Sequence, residues 1–394
     1  MKNVFIIDAL RTPVGSLNGI FAEVSAVQLG IHVVKELLCR HPEIATEQID
    51  EVVFGEVLTA GLGQNPSRQV SIHSGIPQST PAYTVNMVCG SGMKAIELAW
   101  QSIRTERASI VIAGGMENMS QAPYLLKTLR RGSRMGDTTA MDSMIYDGLW
   151  DIFNQYHMGI TAENVAEKFG VSREAQDQFA YESQMKCTRA FEKGLFQQEI
   201  IPISLETKKG TVVLDKDEHP RPDTTLEKLS KLKPAFKPNG TVTAGNASGI
   251  NDGASALIIV SEEVLPKIKP AFSPVRIIDI QSMGCDPAYM GLGPVFATRK
   301  LLDKNKLSIN DIDLWEINEA FSAQSIPCIQ QLGMQTDIVN VNGGAIALGH
   351  PIGCSGARIT TTLIYEMQRR KSKKGIATMC IGGGMGISGL FELA

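Results

Sequence analysis

The sequence lacks the features that announce a secreted mini-domain, a nucleic-acid binder or a membrane protein. Its seven cysteines (Cys39, Cys89, Cys187, Cys285, Cys328, Cys354 and Cys380) are odd in number, scattered and never spaced C-x-x-C, which argues against a disulfide framework and a zinc ribbon. No metal site is expected. The apolar run at residues 4–7 stops at Asp8, and nothing later approaches the ~18 apolar residues of a membrane span. Neither sign of charge dominates: 38 Lys and Arg against 41 Asp and Glu leave −3, too little to drive electrostatic binding of nucleic acid or anionic membrane. Gly-Lys-Ser/Thr is missing, as is G-x-G-x-x-G with a downstream acid, which speaks against phosphate cradling. The last four residues carry no peroxisomal or retention signal, so a reducing, cytoplasmic setting is the expectation.

What is present points to a large layered protein. With 394 residues, 43% of them hydrophobic and 20% charged, the chain suits two or three domains or one unit of two joined cores. Its 37 glycines come in clusters, as tight turns beside a ligand require. Apolar β-branched runs at 4–7, 52–54 and 110–113 alternate with helix-period stretches at 26–38 and 93–103, an α/β pattern. The idea recurs after residue 273, with strands expected at 275–280, 314–317, 338–341 and 377–381 and helices around 297–302 and 357–367. Ile49-Asp50-Glu51-Val52 matches Ile312-Asp313-Leu314-Trp315, Ser91-Gly92 matches Ser355-Gly356, and Gly114-Gly115-Met116 matches Gly383-Gly384-Met385. Their slowly drifting offsets indicate duplicated halves. The expected division is an N-terminal half at 1–118 completed by 249–272, an insertion at 119–248 and a C-terminal half at 273–394. Within the insertion, Ser172 suits a helix cap, Glu174 the first turn and Gly194 the stop. A substrate lid and a plain helical excursion are both open readings of this region.

Four segments carry chemistry. Val88-Cys89-Gly90-Ser91-Gly92 joins an extended stretch to an amphipathic helix; a thiol there is expected to have a depressed pKa and to act as a nucleophile, against the alternative of a buried structural cysteine. The glycine-dense segment 340–356 surrounds His350, fixed by Pro351 and suited to a general base. Cys380 opens into Gly382-Gly383-Gly384, where a second thiol shuttles protons or merely packs, and where turn N–H groups suit an oxyanion hole. Asn318 and Glu319 follow an apolar strand, where Asn318 either orients a water or caps a helix.

These segments, in their order along the chain, resemble the thiolase family. Ala113-Gly114-Gly115-Met116-Glu117-Asn118-Met119-Ser120, Tyr156-His157-Met158-Gly159, Gly240-Thr241-Val242-Thr243-Ala244-Gly245-Asn246-Ala247-Ser248-Gly249 and Asn318-Glu319-Ala320-Phe321 extend the likeness over nearly the whole chain. The resemblance implies an α/β fold of duplicated halves, a five-layer α-β-α-β-α core with an inserted loop domain that binds coenzyme A. It implies Cys89 as acyl carrier, His350 as its base, Cys380 as the base that removes a methyl proton, a water held by Asn318, and an oxyanion hole from the N–H groups of Cys89 and Gly382. It places His157 and Met158 beside the pantetheine, Arg221 near the adenine, Ala244 and Ser248 along the arm, and Ala320 and Phe321 at the acyl end. The insertion is most similar to the biosynthetic branch, which joins two acetyl-CoA into acetoacetyl-CoA and CoA; the degradative branch on longer chains shares the same catalytic groups. A β-ketoacyl synthase fits less well, since Asn318 stands where that relative has a second histidine, and a non-catalytic acyl or nucleotide binder is the other class considered. No cofactor beyond the CoA thioester substrates is implied. A homotetramer is, and the basic run at 127–134 matches the region that pairs dimers, although a solvated loop is its default reading. Met385 and Cys354 depart from the family's usual Gln and Ala.

Overall fold

The computed structural model describes residues 2–207 and 210–394. The N-terminal half runs β1 (Val4–Arg11), α1 (Ala26–Arg40), β2 (Glu51–Gly55), α2 (Pro66–His73), β3 (Ala82–Val85), α3 (Ser91–Arg104) and β4 (Ile110–Asn118). The chain then leaves the sheet for α4 (Met158–Phe169) and α5 (Arg173–Glu192) and returns as β5 (Asn251–Ser261). The C-terminal half runs β6 (Val275–Gly284), α6 (Gly293–Asn305), β7 (Leu314–Ile317), α7 (Ser322–Leu332), α8 (Ser355–Arg370), β8 (Lys374–Ile381) and β9 (Met385–Leu393).

Strand pairing repeats between the halves. β2 is parallel to β3 and β4, β4 antiparallel to β5, and β5 antiparallel to β1. In the same order β7 is parallel to β8, β8 antiparallel to β9, and β9 antiparallel to β6. β1 and β6 touch through Phe5–Arg276 and Ile6–Val275, so the halves share one hydrogen-bonded path. Both first strands slip register at equivalent points, Ile6/Asp8 and Ile277/Asp279. Each bulged aspartate pins the end of the next helix: Asp8 meets His41 just past α1 at 3.1 Å, and Asp279 meets Lys304 and Asn305 at the end of α6.

The alternation of side chains along the strands builds the layers. Val53, Val111, Ala113, Leu314, Ala377 and Met379 point to a middle core shared with Met93 and Ile96 of α3 and Ile359 and Leu363 of α8. Val52, Phe54 and Ile112 turn outward onto Leu29, Val33 and Val70 of α1 and α2, while Trp315, Ile317 and Ile376 turn outward onto Val295, Leu301 and Ile329 of α6 and α7. Helix, sheet, helix, sheet, helix is the stacking that results. α3 earns its central place through Met93, Ile96, Trp100 and Ile103 at helical spacing, each burying a side chain that contributes ~1.5–3 kcal/mol, and the Trp100 indole donates to the Ile277 carbonyl at 3.1 Å.

Most expected elements appear, with two differences. Residues 338–341 form no strand: a turn at Thr336–Ile338 is followed by a single bridge from Val339 to Trp315. Asn340, at φ +43°, replaces the ladder with its side chain, which accepts from Ile317 N and donates to Ile317 O, both at 2.8 Å. β4 runs beyond 113 because Gly114 and Gly115 let it pass where a Cβ would lie 2.3 Å from the Ser255 and Gly353 carbonyl oxygens. In the insertion, the Ser172 hydroxyl accepts from Ala175 N to cap α5, and Gly194 takes φ +68° after it. Among the described residues no helix is long and apolar enough to cross a membrane.

Candidate active site

Cys89 sits on a strained turn two residues before α3. Val88 adopts φ +47°, a conformation that costs a β-branched residue ~1–3 kcal/mol. Ser91 holds it there: its hydroxyl accepts from Met87 N at 2.8 Å and donates to Val88 O at 2.6 Å. The N–H groups of Gly382 and of Cys89 itself both reach the Cys89 sulfur. Burial nonetheless pushes the thiol up to about 11, and those two N–H groups offset it only in part. The expectation of a depressed pKa is therefore overturned. The helix proper begins at Ser91, too far along to outweigh desolvation, so Cys89 rests as a thiol and needs a base.

His350, the expected base, is held by three hydrogen bonds. Gly349, at φ +101°, turns the chain into His350, whose N–H donates to Asn251 Oδ1 at 2.9 Å. The Ser355 hydroxyl donates to Pro351 O at 2.8 Å, so its oxygen is left to accept from His350 Nδ1–H at 2.5 Å. This puts the lone pair on Nε2, where Asn318 Nδ2 lies at 3.4 Å. Burial, helped by the Arg358 charge, lowers His350 to about 3, so the ring is a neutral acceptor.

Cys380 is fully buried near the end of β8, in an apolar cluster with Met158, Ala247, Met290, Ala320 and Phe321. Burial and then the nearby Cys89 raise its thiol well above the usual range. The turn after it is glycine by necessity: Gly383 and Gly384 both have φ +85°, and a Cβ on Gly384 would fall 2.4 Å from the Cys285 carbonyl oxygen. A Cβ on Gly382 would face Val88 at 3.3 Å and the Met158 sulfur at 3.6 Å, which locates this turn against the Cys89 turn. Met385 packs on the middle core, and Cys354 is buried at the start of α8 with its thiol pushed up to about 12, chiefly by burial.

Asn318 does not cap α7, whose cap position is Phe321. Its N–H continues the ladder to Thr378 O at 2.9 Å, and its Oδ1 is buried with no partner among the described residues. Glu319 turns away, accepting from Ser183 Oγ at 2.6 Å, Asn340 Nδ2 at 2.7 Å and Ile346 N at 3.2 Å, and so clamps α5 and the loop leading to His350. Glu117 does the same on the other side, accepting from Val57 N, Leu58 N and Gly353 N. Sequence reasoning quoted both acids without these duties.

Contacts link several of the residues expected to hold substrate. Arg221 and Ala244 line a groove of about 310 Å³ with His219, Lys228, Leu229 and Leu232. From there the chain leads through Ala247, bridged to Phe321, to Ser248, whose N–H donates to Ala320 O at 2.9 Å. His157 accepts from Gly159 N and stacks on Phe236 at 4.8 Å, and Phe236 meets Phe321 edge-on at 6.2 Å. Met158 is buried beside Cys380. His219 was missed; burial, then Arg221, lowers it to about 4, and only its nearness in sequence to Arg221 hinted at its place. Ser355 and Arg358 were also missed, although the match of Ser355-Gly356 to Ser91-Gly92 was a signal for the first.

Comparison with known proteins bears on the family and the fold. Residues 4–263 match the model for the thiolase N-terminal domain and residues 273–393 that for the thiolase C-terminal domain. The chain is 53% identical over 390 residues to an acetyl-CoA acetyltransferase of Allochromatium vinosum and 54% identical over 391 residues to one of Pseudomonas aeruginosa, covering 98% of each chain. Among solved structures, the acetyl-CoA acetyltransferase of Bacillus anthracis and human mitochondrial 3-ketoacyl-CoA thiolase each superpose at TM-score 0.96 and 42% identity, over 100% of this chain and 99% of the other. With both halves matched and 98% of the chain covered by its relatives, the chain belongs to the thiolase family.

Proposed function

We propose that the protein is an acetyl-CoA C-acetyltransferase, joining two acetyl-CoA reversibly into acetoacetyl-CoA and CoA. The observation that carries the reading is the placement of one buried thiol, Cys380, against a second, Cys89, whose sulfur already receives two backbone N–H groups. His350 Nε2 takes the Cys89 proton, and the sulfur attacks the thioester carbonyl, whose oxygen is held by the N–H groups of Cys89 and Gly382. CoA leaves with the proton of Cys380. The Cys380 thiolate, a strong base because its thiol is raised so far, then takes a proton from the methyl carbon of a second acetyl-CoA. His350, now protonated, and a water on Asn318 support the enolate oxygen while the carbanion attacks the Cys89 thioester. The departing Cys89 thiolate recovers its proton from His350, which closes the cycle.

Coenzyme A lies along the groove, with Arg221 near the adenine, Ala244, Ser248, His157 and Met158 along the arm, and Ala320 and Phe321 at the acyl end. The reading needs no cofactor besides its thioester substrates. It favours short acyl groups because Met158, Met290 and Phe321 crowd Cys380. The degradative reading on longer chains keeps one argument, the equally good superposition on the human 3-ketoacyl-CoA thiolase. A homotetramer is part of the proposal, supported by the exposed Tyr124, Leu126, Leu129 and Met135 beside the basic run. So is a cytoplasmic setting, which keeps the two reacting thiols reduced.

Thiolysis tests the assignment. The protein with CoA should cleave acetoacetyl-CoA, cleave 3-ketooctanoyl-CoA far less well, and lose both activities in Cys89→Ser. Preference for the longer substrate moves the protein to the degradative branch, and full activity in Cys89→Ser refutes the mechanism.

A further inference from the structure

Arg11, at the end of β1, gathers two separate stretches of the insertion. The chain leaves the core after Glu199, runs out through the paired strands Ile203–Thr207 and Gly210–Leu214, and is back against β1 at Asp217. Arg11 holds both ends of that excursion. Its backbone N–H donates to Glu199 O at 2.8 Å, and its carbonyl accepts from Ile201 N at 2.9 Å. Its guanidinium donates through Nε to Glu199 Oε1 at 2.7 Å, and through Nη1 and Nη2 to the two oxygens of Asp217 at 2.6 and 2.9 Å. The Arg11 side chain is 1% exposed, and those of Glu199 and Asp217 are 0% exposed.

The residues that follow are fixed one after another. Asp217 Oδ1 also accepts from Val14 N at 2.7 Å. Glu218 N–H donates to Val14 O at 2.9 Å, while its Oε2 accepts from Ser16 N at 2.8 Å and from Ile20 N at 3.1 Å. His219 lies over Gly249, where a Cβ would stand 2.3 Å from its Cε1. Arg221 N–H donates to Gln184 Oε1 at 2.9 Å. Residues 215–225 are irregular, so these contacts stand in for a ladder. They carry the chain from the clamp at β1 into the groove lined by His219, Arg221 and Ala244.

A buried ion pair adds little stability over apolar packing of the same volume. What a two-pronged guanidinium–carboxylate pair does add is a fixed orientation. Three charges taken out of water at the root of a loop therefore point to placement rather than to stability.

We propose that Arg11 and Asp217 are positioning residues for the nucleotide end of coenzyme A: their ion pair sets where residues 218–221 stand, and with them Arg221 at the groove. The proposal rests on coenzyme A lying along that groove, as in the function proposed above. Cys89 and His350 are held by other contacts, through Ser91, Ser355 and Asn251, so the clamp acts on binding and leaves the chemistry alone.

The test compares two substrate pairs in thiolysis: acetoacetyl-CoA with CoA, and acetoacetyl-pantetheine with pantetheine, which lacks the nucleotide. In Asp217→Ala, Arg11 keeps Glu199 and the Thr12 carbonyl as partners, so its charge is not stranded. The KM for CoA should rise about tenfold, the worth of one charged hydrogen bond, with kcat unchanged, the mark of lost uniform binding. With the pantetheine pair both constants should match those of the wild type. Equal losses on the two pairs overturn the proposal, since the role is then structural, and so does an unchanged KM for CoA. If Asp217→Ala does not fold, Glu218→Ala decides, because that carboxylate is exposed and anchors the next residue. It should show the same selective rise, and an unchanged KM for CoA in that variant refutes the clamp. A wild type that uses both pairs equally well gives a different result: it refutes the placement of coenzyme A along the groove, and the proposal falls with it.

Discussion

Replacing His350 with alanine tests the link between burial and chemistry most directly. Burial places the Cys89 thiol at about 11, so at about pH 8 only about one molecule in 10³ carries the thiolate without help, each unit of pKa being 1.36 kcal/mol. His350 lessens that barrier by drawing the proton away in the same step as the sulfur attacks, so that no free thiolate has to form first. Its removal should slow acylation by about 10³-fold, or roughly 4 kcal/mol, within the 10²–10⁴ that a positioned base contributes. A pH signature should accompany the loss. Wild type needs no free thiolate, so its kcat/KM should be nearly flat between about pH 7 and 9, whereas the variant should gain about tenfold per pH unit as hydroxide does the work. Acetoacetyl-CoA thiolysis followed by loss of enolate absorbance gives both numbers, and circular dichroism confirms that the variant is folded. A variant within tenfold of wild type at about pH 8, or one with a flat profile, refutes the reasoning.

Ser355→Ala should free the His350 tautomer and lower kcat by roughly 10²-fold, the low end for a positioned base, with KM unchanged because Ser355 is buried beneath the ring; a change confined to KM would contradict it. Gly293→Ala would set a Cβ 2.0 Å from the Met385 carbonyl oxygen, and the overpacking should cost ~1–3 kcal/mol, visible as a lower denaturant midpoint; an unchanged midpoint rejects that contact as tight. His41 is pulled down by burial but raised overall by its hydrogen bonds to Asp8 and Glu43. Its stabilising contribution should therefore be complete below the unfolded value of about 6.5 and vanish as pH rises through the higher folded value. The stability gap between wild type and His41→Asn should accordingly be wider at acid than at alkaline pH, and a gap that widens with pH would reverse the assignment.

The glycine turns and the duplicated strand order were legible because they depend on local rules: a strand ending in Cys380-Ile381-Gly382-Gly383-Gly384 announces its own bend. The second half's missing strand at 338–341 was not, because Val339 and Val341 satisfy the apolar pattern while the Asn340 amide takes over the backbone's hydrogen bonds. The Cys89 thiol was misjudged for a different reason. A helix start is visible in sequence, but the desolvation that outweighs it depends on β8, the insertion and the His350 loop closing over the turn. Arg358 was invisible for a related cause. α8 carries Arg358, Thr361, Thr362 and Glu366, which read as a solvated face, yet all are buried because the helix lies between two sheets. Periodicity separates an inside from an outside, and a central layer has no outside.

The meeting of α3 and α8 has a mechanical consequence. Their first turns lie so close that a Cβ on Gly92 would stand 2.8 Å from Ala357 N and one on Gly356 would stand 2.2 Å from Met93 N. Backbone rests on backbone there, with no side chain between to act as a cushion. Cys89 belongs to one half and His350 to the other, so this seam works like a bolted joint: the halves cannot swivel without dragging Cys89 away from His350. Whatever gives way to admit a molecule as long as coenzyme A must therefore be the insertion, and amide exchange should quicken around residues 219–248 well before it does along α3 or α8.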